Sequence, residues 1–259
     1  MKIALVGYGK MGHMIEQCAK AMGHEVVATI DVDAKDATNL VAIGDGNAVA
    51  EAVKNSGAEG VIEFSHPTAV IGNLKALIPL GLPVVCGTTG WAKSENEIEK
   101  LCADSKGTCM RSSNCSIGVN MFYKIVEEAA KLMSEYSDYD VALWEAHHNQ
   151  KADSPSGTAL EVARRVMLGN KSKTEMVFDA FHEKPKANEL HVSSTRVGFV
   201  PGTHTVFFDS PADSIELTHR DRSREGFAKG SVVALEKLVS KLKNGALSSG
   251  KLYGMEDLF

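Results

Sequence analysis

Long apolar runs are missing from this sequence of 259 residues. No run approaches the roughly 20 apolar residues that a membrane-spanning helix needs. At the N-terminus, MKIALVGYGKMG holds only the short apolar run from Ile3 to Val6 before its first glycine, whereas the apolar region of a secretory signal is longer. We therefore expect a cytoplasmic protein without a membrane span.

Cysteine and net positive charge are also scarce. The five cysteines are odd in number, and no two of them have the Cys-x-x-Cys spacing of a redox or metal motif. Four lie in apolar segments, which predicts buried, reduced thiols. Lysine and arginine total 28 against 33 acidic residues, a net charge of −5, so nucleic acid and anionic membranes are not the expected partners. An acidic ligand must then be met by local cations.

The first 113 residues alternate short aliphatic segments with amphipathic ones. β-branched and aliphatic content predicts the strands, and apolar residues at helical spacing predict the helices between them. The predicted strands cover residues 2–6, 25–31, 60–65, 83–89 and 107–113, and the predicted helices about 11–22, 48–54, 67–81 and 94–106. Ser94 and Glu97 have the spacing of a capping box. The repeated β-α-β order predicts an α/β domain, a parallel sheet with helices on both faces.

The pattern changes near Asn114. A long predicted helix at about 119–136 is followed by several strands with few helices between them, which predicts a second, α+β domain with a mixed, largely antiparallel sheet. Its predicted strands cover residues 140–146, 175–181, 191–200, 202–210 and 213–221. A last predicted helix, about 226–243, is expected to return to the first domain. The expected domains are therefore 1–114 with 225–259, and 115–224.

Three glycines, Gly7, Gly9 and Gly12, form G-x-G-x-x-G between the first strand and the first helix. An ordinary tight turn can have this pattern, but its strand-turn-helix context is that of a Rossmann-type dinucleotide site. There the glycines allow a tight turn, close approach to a pyrophosphate and close helix packing, and the helix N-terminus faces the phosphates. Asp31 ends the second strand, where an acidic side chain binds ribose hydroxyls.

The choice between NADH and NADPH is open at this point. Asp31 would repel a 2′-phosphate, which favours NADH, whereas Lys10 and Lys35 could offset that charge if they are not simply solvated. The segment CGTTG follows a predicted strand. Gly87 to Thr89 could there offer backbone and hydroxyl groups to a nicotinamide, although turn formation alone would also explain these residue types.

The stretch EAHHNQKADSPSGTAL collects residues that are costly to bury. Side chains alternate along a strand, so His147 and His148 are predicted to point in different directions and to have different tasks. Lys151 follows in a loop, and the N–H groups of Gly157 and Thr158 at a predicted helix start suit a carboxylate. Together these groups could bind an acid and deliver protons. The alternatives are a hydrogen-bonded surface pair and a metal site, for which adjacent histidines give poor geometry.

The chain resembles the 4-hydroxy-tetrahydrodipicolinate reductases, also called dihydrodipicolinate reductases, over essentially its full length. The resemblance rests on VGYGKMG, EFSHP, VVCGTTGW, SSNCSIGVNMF, EAHHNQKADSPSGTAL, RVGFVPGTHTVFF, ELTHRDRSREGFAKG and LYGMEDLF. The HHxxKxDxPSGTA core is far more specific than the glycine loop. The resemblance implies NAD(P)H-dependent reduction of 4-hydroxy-tetrahydrodipicolinate in lysine biosynthesis by the diaminopimelate route, and a homotetramer joined through the second domain.

The resemblance also implies roles for single residues. His147 matches the acid/base histidine and Lys151 a proton-donating lysine, with no metal implied. The matching substrate contacts are His148, Ser156, Gly157 and Thr158. The matching cofactor positions are Gly7, Tyr8, Gly9, Lys10, Met11, Gly12, Asp31, Phe64, Gly87, Thr88, Thr89, Ser112, Ser113, Asn114, Cys115 and Arg224, an arginine near the domain junction.

Two positions depart from the family pattern. Val32 follows Asp31 where members often carry a basic residue, which weakens the expectation of NADPH. Cys115 stands where phenylalanine is common, and a smaller side chain there could loosen nicotinamide packing. Two alternatives have other functions: another two-domain dehydrogenase, which would not need the HHxxKxDxPSGT motif, and a non-catalytic dinucleotide sensor, which could dispense with His147 and Lys151.

Overall fold

The structure, a computed structural model, describes residues 1–178 and 180–259. Its contacts divide the chain into two compact units. Unit 1 holds Met1–Ser116 with Glu225–Phe259, and unit 2 holds Ile117–Arg224. The predicted strand over 175–181 contains Asp179, which lies outside the described residues. Within the described part of the chain, no helix is both long enough and apolar enough to cross a membrane.

The elements are numbered in chain order. The strands are β1 (Lys2–Val6), β2 (Glu25–Asp31), β3 (Asn39–Leu40), β4 (Gly60–Glu63), β5 (Val84–Cys86), β6 (Cys109–Arg111), β7 (Asp140–His147), β8 (Glu175–Val177), β9 (Glu189–Arg196), β10 (Thr203–Asp209), β11 (Ser214–Arg220) and β12 (Leu252–Tyr253). The α-helices are α1 (Lys10–Ala21), α2 (Gly46–Ser56), α3 (Val70–Leu77), α4 (Glu95–Ser105), α5 (Ile117–Met133), α6 (Gly157–Gly169) and α7 (Glu225–Lys243).

Unit 1 is built on a parallel sheet with strand order β12-β6-β5-β4-β1-β2-β3. Helices α1 and α7 pack on one face, and α2, α3 and α4 pack on the other. This arrangement confirms the predicted α/β layering, in which each helix buries its apolar stripe against the sheet. The strand β1 lies between β4 and β2. The chain therefore places β2 and β3 on one side of β1, and β4, β5 and β6 on the other side. The carboxyl ends of these strands therefore border the crevice where such sheets bind ligands.

Helix α7 belongs to unit 1. Its Leu235 packs over Gly60 at the start of β4, where a Cβ would lie only 2.9 Å from the Leu235 Cδ1 atom. Glycine at this position therefore lets the last helix lie close to the sheet. All five cysteine side chains are buried and form no disulfide. This burial was predicted for the four that lie in apolar segments.

The capping-box prediction at Ser94 is wrong. Ser94 is the N-cap of α4, but its side chain makes no capping hydrogen bond within the described residues. It ends a 3-10 turn over Ala92–Ser94 and has φ −100° and ψ 8°, whereas a capping hydroxyl needs extended backbone to reach the first helical turn. The sequence pattern also misses the edge strands β3 and β12, because two residues are too few to show a period.

Unit 2 holds a mixed sheet with strand order β11-β10-β7-β9-β8. The strand β10 pairs antiparallel with β7 and β11, whereas β9 pairs parallel with β7 and β8. Helices α5 and α6 cover one face and share a core with the sheet around Phe122, Val162 and Leu143. The predicted mixed sheet is thus confirmed. His147 is the last residue of β7, one residue beyond the predicted end, so the motif of interest begins inside the sheet.

Candidate functional site

The three glycines of the turn between β1 and α1 differ in what a side chain at each position would contact. Gly7 has a φ of +91°, and a Cβ there would lie 2.1 Å from the backbone oxygen of Phe64. A Cβ on Gly12 would lie 2.4 Å from the carbonyl oxygen of Gly7, so glycine lets α1 approach the turn. Around the Cβ position of Gly9, the described atoms leave at least 4 Å of open space. That is the room a pyrophosphate needs to reach the backbone.

Asp31 presents a carboxylate that is fixed by backbone donors. Its Oδ2 accepts a hydrogen bond from the Tyr8 N–H at 2.5 Å, and its Oδ1 accepts from Val32, Asp33 and Ala34 at 2.8, 3.1 and 3.2 Å. Burial raises the pKa of Asp31, but these backbone hydrogen bonds outweigh burial and lower it overall. An ionised carboxylate therefore stands at the end of β2, beside the glycine turn.

A cavity of about 220 Å³ lies at this edge of the unit 1 sheet. Four of the predicted cofactor residues line it, namely Gly7, Gly9, Asp31 and Phe64. Asp33 also lines the cavity. Among the described residues of the lining, the ionisable side chains are thus the acidic Asp31 and Asp33, together with His66. Shape, glycine backbone and carboxylate together fit the adenosine half of a dinucleotide.

The ends of β5 and β6 continue the same edge. The Phe64 ring lies against Gly87, where a Cβ would come within 1.9 Å of the ring carbon Cζ. The Ser112 N–H donates to the Cys86 carbonyl oxygen at 3.0 Å, and the Ser112 hydroxyl donates to the Asn114 carbonyl oxygen at 2.7 Å. The segments 87–89 and 112–115 therefore follow neighbouring strands at the carboxyl edge of one sheet.

The other predicted cofactor residues have more varied surroundings. Cys115 is buried, and burial raises the pKa of its thiol to about 12, so it acts as a neutral packing group. Thr88 is buried and its carbonyl oxygen accepts from the Trp91 Nε1 at 2.8 Å, while Met11 packs beside the core shared by α1 and α7. The exposed members of the set are Lys10, Thr89, Ser113 and Arg224.

In unit 2, His147 ends β7 with its ring bonded to a buried carboxylate. His147 Nδ1 forms a hydrogen bond with Glu145 Oε2, two residues back on the same face of the strand. The other oxygen of Glu145 accepts from Arg196 Nη1 at 2.8 Å and from the Ser156 N–H at 3.3 Å. Burial raises the pKa of Glu145, but the hydrogen bonds from His147 and Arg196 outweigh burial and lower the pKa to about 2.

Two further ionisable groups face His147, one from β10 and one from the end of β11. The ring of His204 on β10 meets the His147 ring edge-on, with centroids 5.2 Å apart. Burial, followed by the charge of His147, lowers the pKa of His204 to about 3, so this ring stays neutral. Asp221 follows β11, and a Cβ built on Gly202 would lie 2.7 Å from its Oδ2 and 3.1 Å from His147 Nε2. Gly202 therefore keeps open the space between that carboxyl group and Nε2.

The loop after β7 already holds a carboxylate of its own. Lys151 Nζ lies 2.8 Å from Asp153 Oδ1. Burial raises the pKa of Asp153, but the ammonium of Lys151 and the backbone N–H of Gly157 lower it overall. The loop thus brings together an ammonium and a helix N-terminus around one anion. His148 lies half-buried beyond the end of β7, and its carbonyl oxygen accepts from the Lys151 N–H at 3.1 Å.

Ser156 and Thr158 connect α6 to its surroundings. The Ser156 hydroxyl caps α6 by accepting from the Ala159 N–H at 3.1 Å, and it also lies 3.3 Å from His204 Nε2. With its N–H given to Glu145, Ser156 is engaged through both groups. Thr158 hydrogen-bonds the hydroxyl of Tyr123. Three of the four predicted substrate contacts, Ser156, Gly157 and Thr158, therefore stand at the start of α6. The hydrogen bonds of Ser156 fix the position of that helix start.

Glu145, His147 and His204 also place donor atoms within 4.8 Å of one another, a spacing that a metal ion could use. However, both oxygens of Glu145 accept hydrogen bonds from protein groups, and the Arg196 guanidinium beside them opposes a cation. The arrangement suits holding and moving a proton better than binding a metal ion.

Several residues of this site are missing from the sequence prediction. Arg196 on β9 reaches Glu145, and Gly202, His204 and Asp221 reach His147 from the start of β10 and the end of β11. These strands are distant in sequence, so local patterns cannot indicate the contacts. Glu145 could have been found, because it lies two positions before His147 on an alternating strand and must share its face.

Comparisons with known proteins place both units in one family. Two sequence profiles match the chain, described as dihydrodipicolinate reductase, N-terminus, over residues 1–115, and dihydrodipicolinate reductase, C-terminus, over residues 118–259. A 4-hydroxy-tetrahydrodipicolinate reductase of Christiangramia forsetii is 36% identical over 241 residues, 93% of each chain. One of Archaeoglobus fulgidus is 36% identical over 264 residues, 99% of each chain.

Solved structures agree at the level of the fold. Dipicolinate-bound dihydrodipicolinate reductase from Paenisporosarcina sp. TG-14 superposes with a TM-score of 0.76 at 20% identity, covering 100% of this chain and 99% of that one. A mutant meso-dapdh of Clostridium tetani, bound to DAP, gives a TM-score of 0.57 at 12% identity, covering 100% and 94%. Both share the fold of this chain.

Proposed function

Because the chain belongs to the dihydrodipicolinate reductase family, we propose that His147, Lys151 and the start of α6 form the site at which it reduces its substrate. The family performs NAD(P)H-dependent reduction in lysine biosynthesis by the diaminopimelate route, and the chain is an oxidoreductase of this kind. The reaction converts 4-hydroxy-tetrahydrodipicolinate to tetrahydrodipicolinate by adding a hydride and a proton, and the 4-hydroxyl group leaves as water. The single observation that carries the assignment of the site is the cluster around His147, in which a buried imidazole bonded to the Glu145 carboxylate stands beside a loop that holds an anion.

A nicotinamide cofactor supplies the hydride when it is bound. In unit 1, the open backbone at Gly9 and the fixed carboxylate of Asp31 support its phosphate and ribose contacts. Phe64 and Gly87 lie where the sheet edge continues from the adenosine cavity, so segments 87–89 and 112–115 are proposed to hold the nicotinamide half.

The substrate is a diacid, and the loop after β7 has the chemistry for a carboxylate. Lys151 and the Gly157 N–H already bind the Asp153 carboxylate. A group of the same charge and geometry on the substrate would find the same donors, at a helix start that favours negative charge. We assign Lys151, Gly157 and Thr158 to this carboxylate, with Ser156 fixing the helix start and His148 as a further contact.

Reduction leaves electron density on the ring, so a proton must be delivered to it. His147 is proposed as the acid, since an imidazole ring can donate a proton from a nitrogen and this ring is held in place by Glu145. Lys151 is the second proton donor near the diacid. A positioned general acid contributes about 10²–10⁴-fold to a rate.

For the cofactor, we propose a preference for NADH. Asp31 and Asp33 both line the adenosine cavity, and Val32 between them is apolar. A 2′-phosphate placed at this ribose would meet two carboxylates and no compensating side chain at position 32, so its binding is opposed electrostatically. NADPH is expected to work less well.

We further propose that the protein is a homotetramer joined through unit 2. The sheet face opposite α5 and α6 presents Ala142, Trp144 and Phe207, all partly exposed. A second copy of the same face would cover these apolar groups. Light scattering coupled to size exclusion tests this directly, and a monomeric mass at micromolar concentration would contradict it.

The activity is tested by NADH consumption with substrate generated in situ from pyruvate and aspartate semialdehyde by a synthase. Wild-type protein should oxidise NADH only when the synthase is present. The His147→Ala variant should lose about 10²–10⁴-fold in kcat while its NADH affinity, measured by fluorescence titration, changes little. No oxidation by the wild type would favour another two-domain dehydrogenase or a dinucleotide sensor, and near-full turnover by the variant would remove His147 from the acid role.

A further inference from the structure

Arg196 has no role in the mechanism above, and Glu145 enters it only by holding the His147 ring, yet the two side chains form an ion pair behind that ring. Glu145 is 0% exposed, and each of its oxygens accepts a charged or polar donor. Arg196 also donates through Nη2 to the carbonyl oxygen of Asp153, so one guanidinium connects the carboxylate behind His147 with the loop that carries Lys151. A buried ion pair with this many partners costs desolvation, which raises the question of what it does.

We propose that Glu145 and Arg196 are positioning residues that fix which nitrogen of His147 exchanges its proton. The proposal rests on the proposed role of His147 as the acid. Glu145 is held as an acceptor-only carboxylate, so the nitrogen facing it, Nδ1, must carry a hydrogen. Nε2 is then the nitrogen left for proton exchange, and Gly202 keeps the space on that side open.

The proton balance follows from this geometry. The protonated ring gives the hydrogen on Nε2 to the reduced substrate, so the Nε2–H bond breaks as a new bond to hydrogen forms on the substrate. The electron pair of the broken bond stays on the ring, which becomes neutral. The Nδ1–H bond to Glu145 is kept throughout, and solvent restores the proton on Nε2 after product leaves.

The charges around His147 give the pair a second consequence. Glu145 on β7 favours the protonated ring, while the Arg196 guanidinium from the end of β9 opposes it. From β10, His204 is held neutral by burial, and from the end of β11, Asp221 faces the Nε2 side with a pKa that burial raises against the charges of His219 and His147. From the loop after β7, Lys151 adds positive charge, which also lowers the pKa of His204. Removing Glu145 should therefore lower the pH at which His147 loses its proton, and removing Arg196 should raise that pH.

Two variants test this. Glu145→Gln is close in shape but removes the negative charge, so the descending limb of the kcat profile should move to lower pH by about one unit or more. Arg196→Met removes the positive charge, so the same limb should move to higher pH. In Glu145→Gln, kcat should also fall more than KM changes, and Glu145→Asp should recover part of the loss because it restores a carboxylate.

Imidazole ¹⁵N NMR provides a readout that does not need activity. The His147 signals, assigned by comparison with His147→Ala, should show hydrogen on Nδ1 in the neutral ring of the wild type and a mixed population in Glu145→Gln. Glu175→Gln, the same change at an exposed position of β8, is the control and should leave profile and spectrum unchanged. Thermal unfolding shows whether each variant is folded, and Arg196→Met carries the test if Glu145→Gln is not.

The outcomes separate this proposal from the proposed function. The positioning role would be overturned if the descending limb of the kcat profile moved in the same direction in Glu145→Gln and Arg196→Met. It would also be overturned if the wild-type His147 ring carried hydrogen only on Nε2. Both results would count even if His147→Ala is inactive. An active His147→Ala variant would overturn the acid role, while the NMR result would still decide whether Glu145 sets the tautomer.

Discussion

Lys151 Nζ lies 2.8 Å from the Oδ1 atom of Asp153, so the ammonium proposed for the substrate already holds a carboxylate inside the protein. The Gly157 N–H contacts the same side chain. This relationship indicates what the loop can bind, and it also means that a substrate carboxylate must replace an internal one. Binding therefore exchanges one ion pair for another, and Lys151 is needed in both states.

The first prediction concerns Lys151. Lys151→Met keeps the length of the side chain but removes its charge, so KM for the diacid should rise about 10–100-fold, the value of one charged hydrogen bond. kcat should also fall, because a proton donor is lost, while NADH affinity stays unchanged. Lys171→Met, the same change at an exposed turn, is the control. Steady-state kinetics would contradict the assignment if KM for the diacid stayed at the wild-type value.

The glycine turn gives a prediction that separates folding from cofactor binding. Gly9→Ala adds a methyl group into open space, so the melting temperature should stay near that of the wild type, whereas NADH should bind at least about tenfold more weakly. Gly12→Ala adds the same methyl group 2.4 Å from the Gly7 carbonyl oxygen, and should cost about 1–3 kcal/mol of stability. Calorimetry for melting and for NADH binding checks both. Equal NADH affinity in Gly9→Ala would argue against a pyrophosphate at this turn.

Cofactor preference should respond to a single cation beside Asp31. Val32 is 48% exposed and lies between two acidic residues that line the cavity. Val32→Arg should raise kcat/KM for NADPH about tenfold, because the guanidinium can pair with a 2′-phosphate. kcat/KM for NADH should change much less. Asn96→Arg, which adds the same charge on α4, should leave the NADPH to NADH ratio as it is, and an unchanged ratio in Val32→Arg would mean that the ribose lies elsewhere.

Glu63 gives a pH prediction for stability. It is fully buried, and burial raises its pKa above the ordinary value of 4.5, against hydrogen bonds from Ser65 and Asn73. The unfolded carboxyl group loses its proton near 4.5 while the folded one retains it, so stability from this group is full below that pH and is lost as the pH rises through the folded pKa.

Glu63→Gln removes this titration. The variant should therefore gain stability relative to the wild type between about pH 5 and about pH 8, as measured by urea unfolding at both values. Glu99→Gln on the exposed face of α4 serves as the control. An identical difference in unfolding free energy at the two pH values would show that Glu63 does not titrate in this range.

Much of unit 1 could be predicted from sequence, for a local reason. The strands β1 and β2 and the helix α1 show their period within a few residues, and the glycines between them mark the turn. Ser94 shows where such reasoning fails, because the capping pattern is present but the preceding turn sets a backbone angle that the pattern does not encode.

The site in unit 2 divides in the same way. His147, His148 and Lys151 stand close together in the chain and were visible as a motif. Arg196 lies 51 residues from the carboxylate that it contacts, and His204 faces His147 only because β10 pairs with β7. Sheet pairing is a tertiary property, so the residues that set the electrostatics around His147 could not be found from spacing.

The most direct test of the account is a crystal structure with reduced cofactor and dipicolinate bound. The account predicts a carboxylate of the diacid on Lys151 and the Gly157 N–H, with Asp153 displaced and the ring within reach of His147 Nε2. A diacid bound away from residues 147–158, with Lys151 still paired to Asp153, would contradict it.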